Sequence, residues 1–356
     1  MLRTLVAGLV VVAGLAVPMV APQPAQAVPP GTYAYVTNFH ANTVSVINTR
    51  TKTVAVTVPV GAAPWEVAVS PNGTRAYVTN RADDTVSVIN TATDMVVATV
   101  PVGREPLGVA VSPDGTRAYV TNFSDNTVSV IKTATNTVVA TIPVGAAPIG
   151  VAVSPKGTRA YVTNSDDDTV SVIKTAKKTV VATIPVGAYP FGVAVSPNGT
   201  RAYVTSLNDD TASVIKTKTN TVVATIPVGD APQGVAVSPN GARAYVVNAD
   251  DDTVSVIKTA KKTVVATIPV GHAPREVAVS PNGARAYVTN ANADSVSVIK
   301  TATNAVVATI PVGDLPFGVA IGVVPCPGHG KPDHGKPGHG KARPGPADHG
   351  HRPCPR

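Results

Sequence analysis

Apolar and polar positions alternate along most of this chain in short runs, and β-branched residues dominate the apolar positions. One stretch shows the unit: Glu66-Val-Ala-Val-Ser70, a turn at Pro71-Asn72-Gly73, then Arg75-Ala-Tyr-Val-Thr-Asn80, Thr85-Val-Ser-Val-Ile89 and Val96-Val-Ala-Thr-Val100. Period-two alternation bounded by Pro, Asn and Gly predicts four short strands, and no segment beyond the N-terminal apolar run carries a helical period. The unit recurs. Its central tyrosine stands at Tyr35, Tyr77, Tyr119, Tyr161, Tyr203, Tyr245 and Tyr287, every 42 residues.

A four-stranded unit of this size cannot bury both faces alone, so the repeats must pack face to face, and radial closure is the usual outcome. The fourth run of each repeat ends on a proline (Pro101, Pro143, Pro185, Pro227, Pro269, Pro311). Proline lacks the donor that an interior strand needs, which places the fourth strand at the outer edge. The chain enters at a second strand, Tyr33 to Asn38, and its last strand-like segment, Phe317 to Gly322, matches a first strand. The expectation is therefore an all-β, seven-bladed propeller of four-stranded antiparallel blades, in which the C-terminal inner strand completes the blade opened by the N-terminal three.

With Tyr-Val-Thr-Asn at the centre of most repeats, the chain resembles the YVTN-repeat β-propellers of archaeal surface-layer proteins and many exported bacterial proteins. The resemblance covers residues 33 to 322 and stands intact at five copies, with Ser206 replacing Asn in one and Val247 replacing Thr in another. It implies a propeller in an extracytoplasmic setting and carries no catalytic motif. Lactone-hydrolysing and lyase propellers are more distant in shape, and shape alone does not transmit chemistry.

The two ends differ from the repeats. Met1-Leu-Arg3, an apolar run from Leu5 to Val17, and the small-x-small pattern Ala25-Gln26-Ala27 predict a signal peptide over residues 1–27, with the mature chain starting near Val28. The propeller is expected over 28–324. No later stretch approaches the roughly 18 apolar residues of a spanning helix, so the expected location is secreted or at the cell surface. Residues 325–356 form a His/Gly/Pro/Lys-rich tail that cannot build a core. Its six Lys or Arg against two Asp carry +4 of the formal +8, and Arg3 carries one more, leaving +3 on the body. Excess charge on a tail rather than on one face makes a nucleic-acid partner a poor fit. A cell-envelope polymer, an extracellular protein or a small ligand fits better. His329, His334, His339, His349 and His351 could converge on Zn, Ni or Cu, although a solvated spacer or electrostatic anchor needs only the same composition. Cys326 and Cys354 flank the tail and can pair in an oxidising compartment.

Candidate binding chemistry lies where the repeat is broken. The connection from each outer strand to the next inner strand ends in Gly in five copies (Gly108, Gly150, Gly192, Gly234, Gly318) and in Glu66 and Glu276 in the other two. Both belong to blades flanking the closing blade. His40, Trp65, Arg81, Arg104, Glu105, His272 and Arg275 depart from the repeat on the same side, an uneven polar sector of the kind a ligand site needs. Drift among solvated loops is the plainer reading. Two functions follow: a non-catalytic exported binding or scaffold propeller, or a hydrolase or lyase with Glu66 or Glu276 as base, assisted by His40 or His272. The acidic turns Asp83-Asp84, Asp125, Asp166-Asp167-Asp168, Asp209-Asp210 and Asp250-Asp251-Asp252 lack calcium-loop spacing and read as turn chemistry. The repeated tyrosines read as packing residues.

The strand-exchange closure has a direct test. Deleting residues from Phe317 onward should destabilise the whole domain, whereas deleting only Cys326 to Arg356 should leave the thermal transition unmoved. Equal melting of the two truncations refutes the exchange.

Overall fold

The computed structural model describes residues 28–325; the expected signal peptide, Cys326, Cys354 and the five tail histidines lie outside them. Strands β1–β28 form seven four-stranded antiparallel sheets. Blade 1 has the order β28-β1-β2-β3, with β1 at Gly31–Asn38, β2 at Thr43–Asn48, β3 at Thr53–Pro59 and β28 at Pro316–Val324. The C-terminal strand is thus the inner strand of the blade that the N-terminus begins, paired antiparallel from Gly31↔Val324 to Asn38↔Pro316. Blade 2 is β4 (Pro64–Val69), β5 (Arg75–Asn80), β6 (Thr85–Asn90) and β7 (Met95–Pro101). Blades 3 to 7 repeat that order. Two three-residue 3-10 turns, Phe123–Asp125 and Ala291–Ala293, are the only helical elements among the described residues.

Packing follows the repeat. Tyr77, Val86, Val88 and Val100 of blade 2 form one apolar cluster with Val109, Ala118, Val120 and Ile131 of blade 3, and each neighbouring pair of blades repeats this arrangement. The motif tyrosine is therefore a buried inter-blade residue, as its strand position predicts. The fourth strands expose every second residue and end on the prolines, as an outer edge requires.

The motif threonine explains how neighbouring blades are held. The inner strand bulges: Pro64 pairs with Asn80 and Val67 with Val78, so Trp65 and Glu66 together oppose Thr79 alone. The Thr79 hydroxyl accepts the Glu66 N–H at 3.0 Å and donates to the Leu107 carbonyl of the next blade at 2.6 Å. Thr37, Thr121, Thr163, Thr205 and Thr289 make the same pair of bonds, to Trp65, Ile149, Phe191, Gln233 and Phe317 respectively. Val247 offers no hydroxyl, so the bridge to Arg275 is missing. That change is more than silent drift.

The motif asparagine stitches loops to strands. Asn122 donates to Thr127 and Ser129 at 2.9 Å each and accepts the Gly103 N–H at 3.1 Å. Acidic turn residues do similar work. Asp83 accepts the Ala62 N–H at 2.6 Å, and Asp84, at φ 55°, accepts the Glu105 N–H of the next blade at 2.8 Å. Those carboxylates therefore satisfy backbone donors, which is the turn role the sequence indicates.

Where Ser206 replaces asparagine, its Oγ and the Thr211 Oγ1 are both buried without partners. Ser206→Asn restores the donors to Thr211 and Ser213. It should raise Tm by about 2–6 °C, since a buried unsatisfied hydroxyl costs about 1–3 kcal/mol. An unchanged or lowered Tm refutes the stitching role.

Candidate functional site

The bulge that the threonine holds also aims two successive side chains of each inner strand at the channel. The first of these, Trp65, Leu107, Ile149, Phe191, Gln233, Arg275 and Phe317 in blade order, are bulky. The second are the five glycines and two glutamates. Glycine is the default for a steric reason: a Cβ on Gly150 would lie 2.6 Å from the Phe191 carbonyl oxygen of the next blade. Adjacent inner strands approach closely at this position. Glu66 and Glu276 break this rule, and rules of packing are broken most often at functional sites. Each leans toward the glycine of the preceding blade, so that a Cβ on Gly234 would lie 2.5 Å from Glu276 Oε1, and one on Gly318 would lie 2.8 Å from Glu66 Oε1.

Both carboxyls line a cavity of about 180 Å³ in the channel, together with Trp65, Gly108, Gly150, Gly192 and a belt of valines. The cavity is the side on which they meet space; protein encloses them elsewhere. Burial, then the charge of Glu276, push the Glu66 carboxyl well above the usual range. Burial pushes Glu276 up to about 7. Each accepts the N–H of the following residue, Val67 at 3.0 Å and Val277 at 2.9 Å, which opposes the rise. The pair therefore retains a proton near neutral pH, one carboxyl being able to donate while the other accepts.

Above this cavity lies an aromatic cluster. The rings of Trp65 and Phe317 are 4.2 Å apart at their centroids, and Phe39 lies 5.9 Å from Trp65 and 5.3 Å from Phe317. The Arg81 guanidinium stands 5.5 Å over Trp65, and that of Arg275 stands 5.3 Å over Phe317. Arg81 also pairs with Glu105 at 2.9 Å. The Ser124 hydroxyl and then Arg81 hold the Glu105 carboxyl below its ordinary value. Arg275 is half-buried, its Nε has no partner, and desolvation lowers its pKa. In blade 6, Gln233 is only 5 % exposed and its Oε1 also lacks a partner.

The structure thus gathers Trp65, Glu66, Arg81, Glu105, Arg275 and Glu276 around the closing blade. The remaining three candidates sit on the rim. Arg104 pairs with Asp125 at 2.6 Å, His40 lies 3.5 Å from Asp314, and His272 lies 3.1 Å from Asp252. Both histidines are mostly exposed, and neither lines the cavity that holds the two glutamates. Sequence reasoning missed Phe39 and Phe317 as members of the sector. The first position after the motif (Phe39, Arg81, Phe123, Ser165, Leu207, Ala249, Ala291) and the first bulge position both vary by blade, and aligning these two sets was the available signal.

The family model described as Lactonase, 7-bladed beta-propeller matches residues 193–309, a span that contains His272, Arg275 and Glu276 but not Glu66. Hydrazine synthase of Kuenenia stuttgartiensis is similar in structure, with TM-score 0.70 and 25% identity over 75% of this chain and 92% of that one. A functionally unknown protein from Desulfotomaculum acetoxidans aligns with TM-score 0.74 and 19% identity over 82% of this chain and 99% of that one. No curated protein matches the chain in sequence. Together these define the class as a seven-bladed propeller with similarity to lactonase-type propellers in its C-terminal blades.

The carboxyl pair has a signature in stability. Because folding raises both pKa values, their contribution to stability is fully present below the unfolded value near about 4.3 and is lost as pH rises, for Glu276 through about 7 and for Glu66 through its own raised value. Tm should therefore fall between pH 5 and 8, and Glu66→Gln with Glu276→Gln should flatten that fall. Parallel Tm–pH curves for the two proteins contradict the shared-proton reading.

Proposed function

We propose that this protein is an exported propeller that binds a small organic ligand at the channel mouth of the closing blade without transforming it. One observation carries the reading: three adjacent blades supply an aromatic cluster, two arginines and, beneath them, two carboxyls, where the other four supply mostly apolar or small residues and glycine. The ligand would have a flat or apolar body for Phe39, Trp65 and Phe317, and a carboxylate or carbonyl oxygen for the unpartnered Nε of Arg275. The tail, as spacer, as electrostatic anchor to an envelope polymer or as a divalent-metal strand, would set where the binding body is displayed.

A second reading, hydrolysis of a lactone, is favoured by the partial lactonase match and by a carboxyl pair holding a proton near neutral pH. In that case one carboxyl would activate water and the other would protonate the leaving oxygen. The histidines would stay outside the chemistry.

Trp65 is the only tryptophan of the chain, so its fluorescence reports on the site directly. Titration with aromatic carboxylates and a lactone panel should change that fluorescence saturably, and Arg275→Gln should weaken the response about tenfold or more. Glu66→Gly with Glu276→Gly should keep the fold, since five blades carry Gly there, while altering ligand response; Asp166→Asn on the far side is the control. No saturable response to any compound sinks the binding proposal, and lactone consumption that the double glycine variant abolishes replaces it with the hydrolase.

A further inference from the structure

The seam between blades 1 and 2, at the face opposite the channel mouth, holds an acceptor that the repeat does not explain. Asp94 lies in the turn between β6 and β7, where the other six copies carry Lys52, Asn136, Lys178, Asn220, Lys262 and Asn304. All seven have positive φ, so the backbone does not require aspartate. Yet Asp94, the one carboxylate among these seven turns, is only 3 % exposed. Its Oδ2 accepts the Val28 backbone N–H at 3.1 Å, and its Oδ1 is buried with no partner among the described residues.

Val28 is held with equal care. It is 7 % exposed and packs in the cluster that contains Tyr33, Tyr35, Ile89 and Val324, while the Tyr33 hydroxyl donates to the Pro29 carbonyl at 2.8 Å. A peptide nitrogen at this position has one hydrogen for a carboxylate with two oxygens. An α-ammonium has three. The orphaned Oδ1 is the acceptor that a peptide bond to Ala27 cannot serve and a free N-terminus can. The sequence places the small-x-small pattern Ala25-Gln26-Ala27 immediately before Val28.

We propose that the Ala27–Val28 peptide bond is the processing site, and that the α-ammonium freed at Val28 docks on both oxygens of Asp94 to lock the closing seam of the ring. A leader peptidase adds water across the amide, leaving a carboxylate on Ala27 and an amine on Val28 that takes up a proton. Processing then adds a charge that the folded body is built to receive, next to the blade where N- and C-terminal strands meet. The unmatched state agrees: with a single amide donor, burial raises the Asp94 carboxyl to about 6. The other titratable groups facing it are Tyr33 and Tyr35, with Arg50 beside Tyr33.

The test begins with the full chain exported by a bacterial host and its N-terminus read by intact mass; Val28 is the expected first residue, and any other start overturns the proposal. Four proteins then separate the ion pair from generic end effects: chains starting at Val28 or with one Gly added before it, each in the native and the Asp94→Asn background. The added Gly should lower Tm by about 3–8 °C with Asp94 present, and by under a third of that shift in the Asp94→Asn background. Equal losses in both backgrounds overturn the docking. Should Asp94→Asn not fold, limited acetylation of the native protein decides: the Val28 amine should react at least about tenfold more slowly when folded than in denaturant, and equal rates refute its burial against Asp94.

Discussion

The hydroxyl of the motif threonine is the interaction on which the rest of this propeller depends. One oxygen accepts a backbone N–H inside its own inner strand and donates to a carbonyl of the next blade, at 2.6 to 2.8 Å for the second bond in six of the seven blades. The first bond fixes a bulge, and the second draws neighbouring inner strands together. Bulges re-aim side chains beside functional sites, and here the bulge points two residues per blade at the axis. Close approach then favours glycine at the second position, so a side chain there has to be accommodated against the packing.

That constraint sets Glu66 and Glu276 apart from the other departures from the repeat. Surface substitutions in solvated loops cost little, and Arg104, His40 and His272 fit that description: exposed, each paired with an acidic neighbour. The two glutamates are different. They sit where five blades cannot easily hold a Cβ, and they are desolvated beside each other. The missing threonine bridge falls at the same place, because Val247 leaves the Arg275 carbonyl without its hydroxyl donor and the Gly234 N–H without its acceptor. Blades 6 and 7 therefore lack this bond next to Arg275, whose Nε is buried without a partner among the described residues.

The ring also has a mechanical weak point, since every closed propeller must join its ends. Blade 1 solves this by strand exchange, and the adjoining seam is reinforced by features absent from the other blades: the cluster of Val28 and Val324, and the Asp94 carboxylate. The aromatic cluster and the closure share blade 1. Stability of the closing joint thus bears on the geometry of the aromatic cluster, because Phe39 follows β1 and Phe317 lies in β28.

Fold, blade number, strand order and closure were legible in the sequence because each rests on local or periodic properties: alternation, turn residues, a 42-residue recurrence and a proline that cannot lie inside a sheet. The sequence also singled out Glu66 and Glu276, since a repeat makes any departure visible. What it could not supply was the reason for glycine at those positions, which is an approach between backbones 41 or 42 residues apart. Nor could it tell that Arg81 and Arg275 cover aromatic faces while Arg104 and the histidines turn to the rim, or that Phe39 and Phe317 complete the sector. A residue's place in the repeat sets its register; only the bulge, the curvature of the ring and the distance between neighbouring inner strands decide which side chains meet.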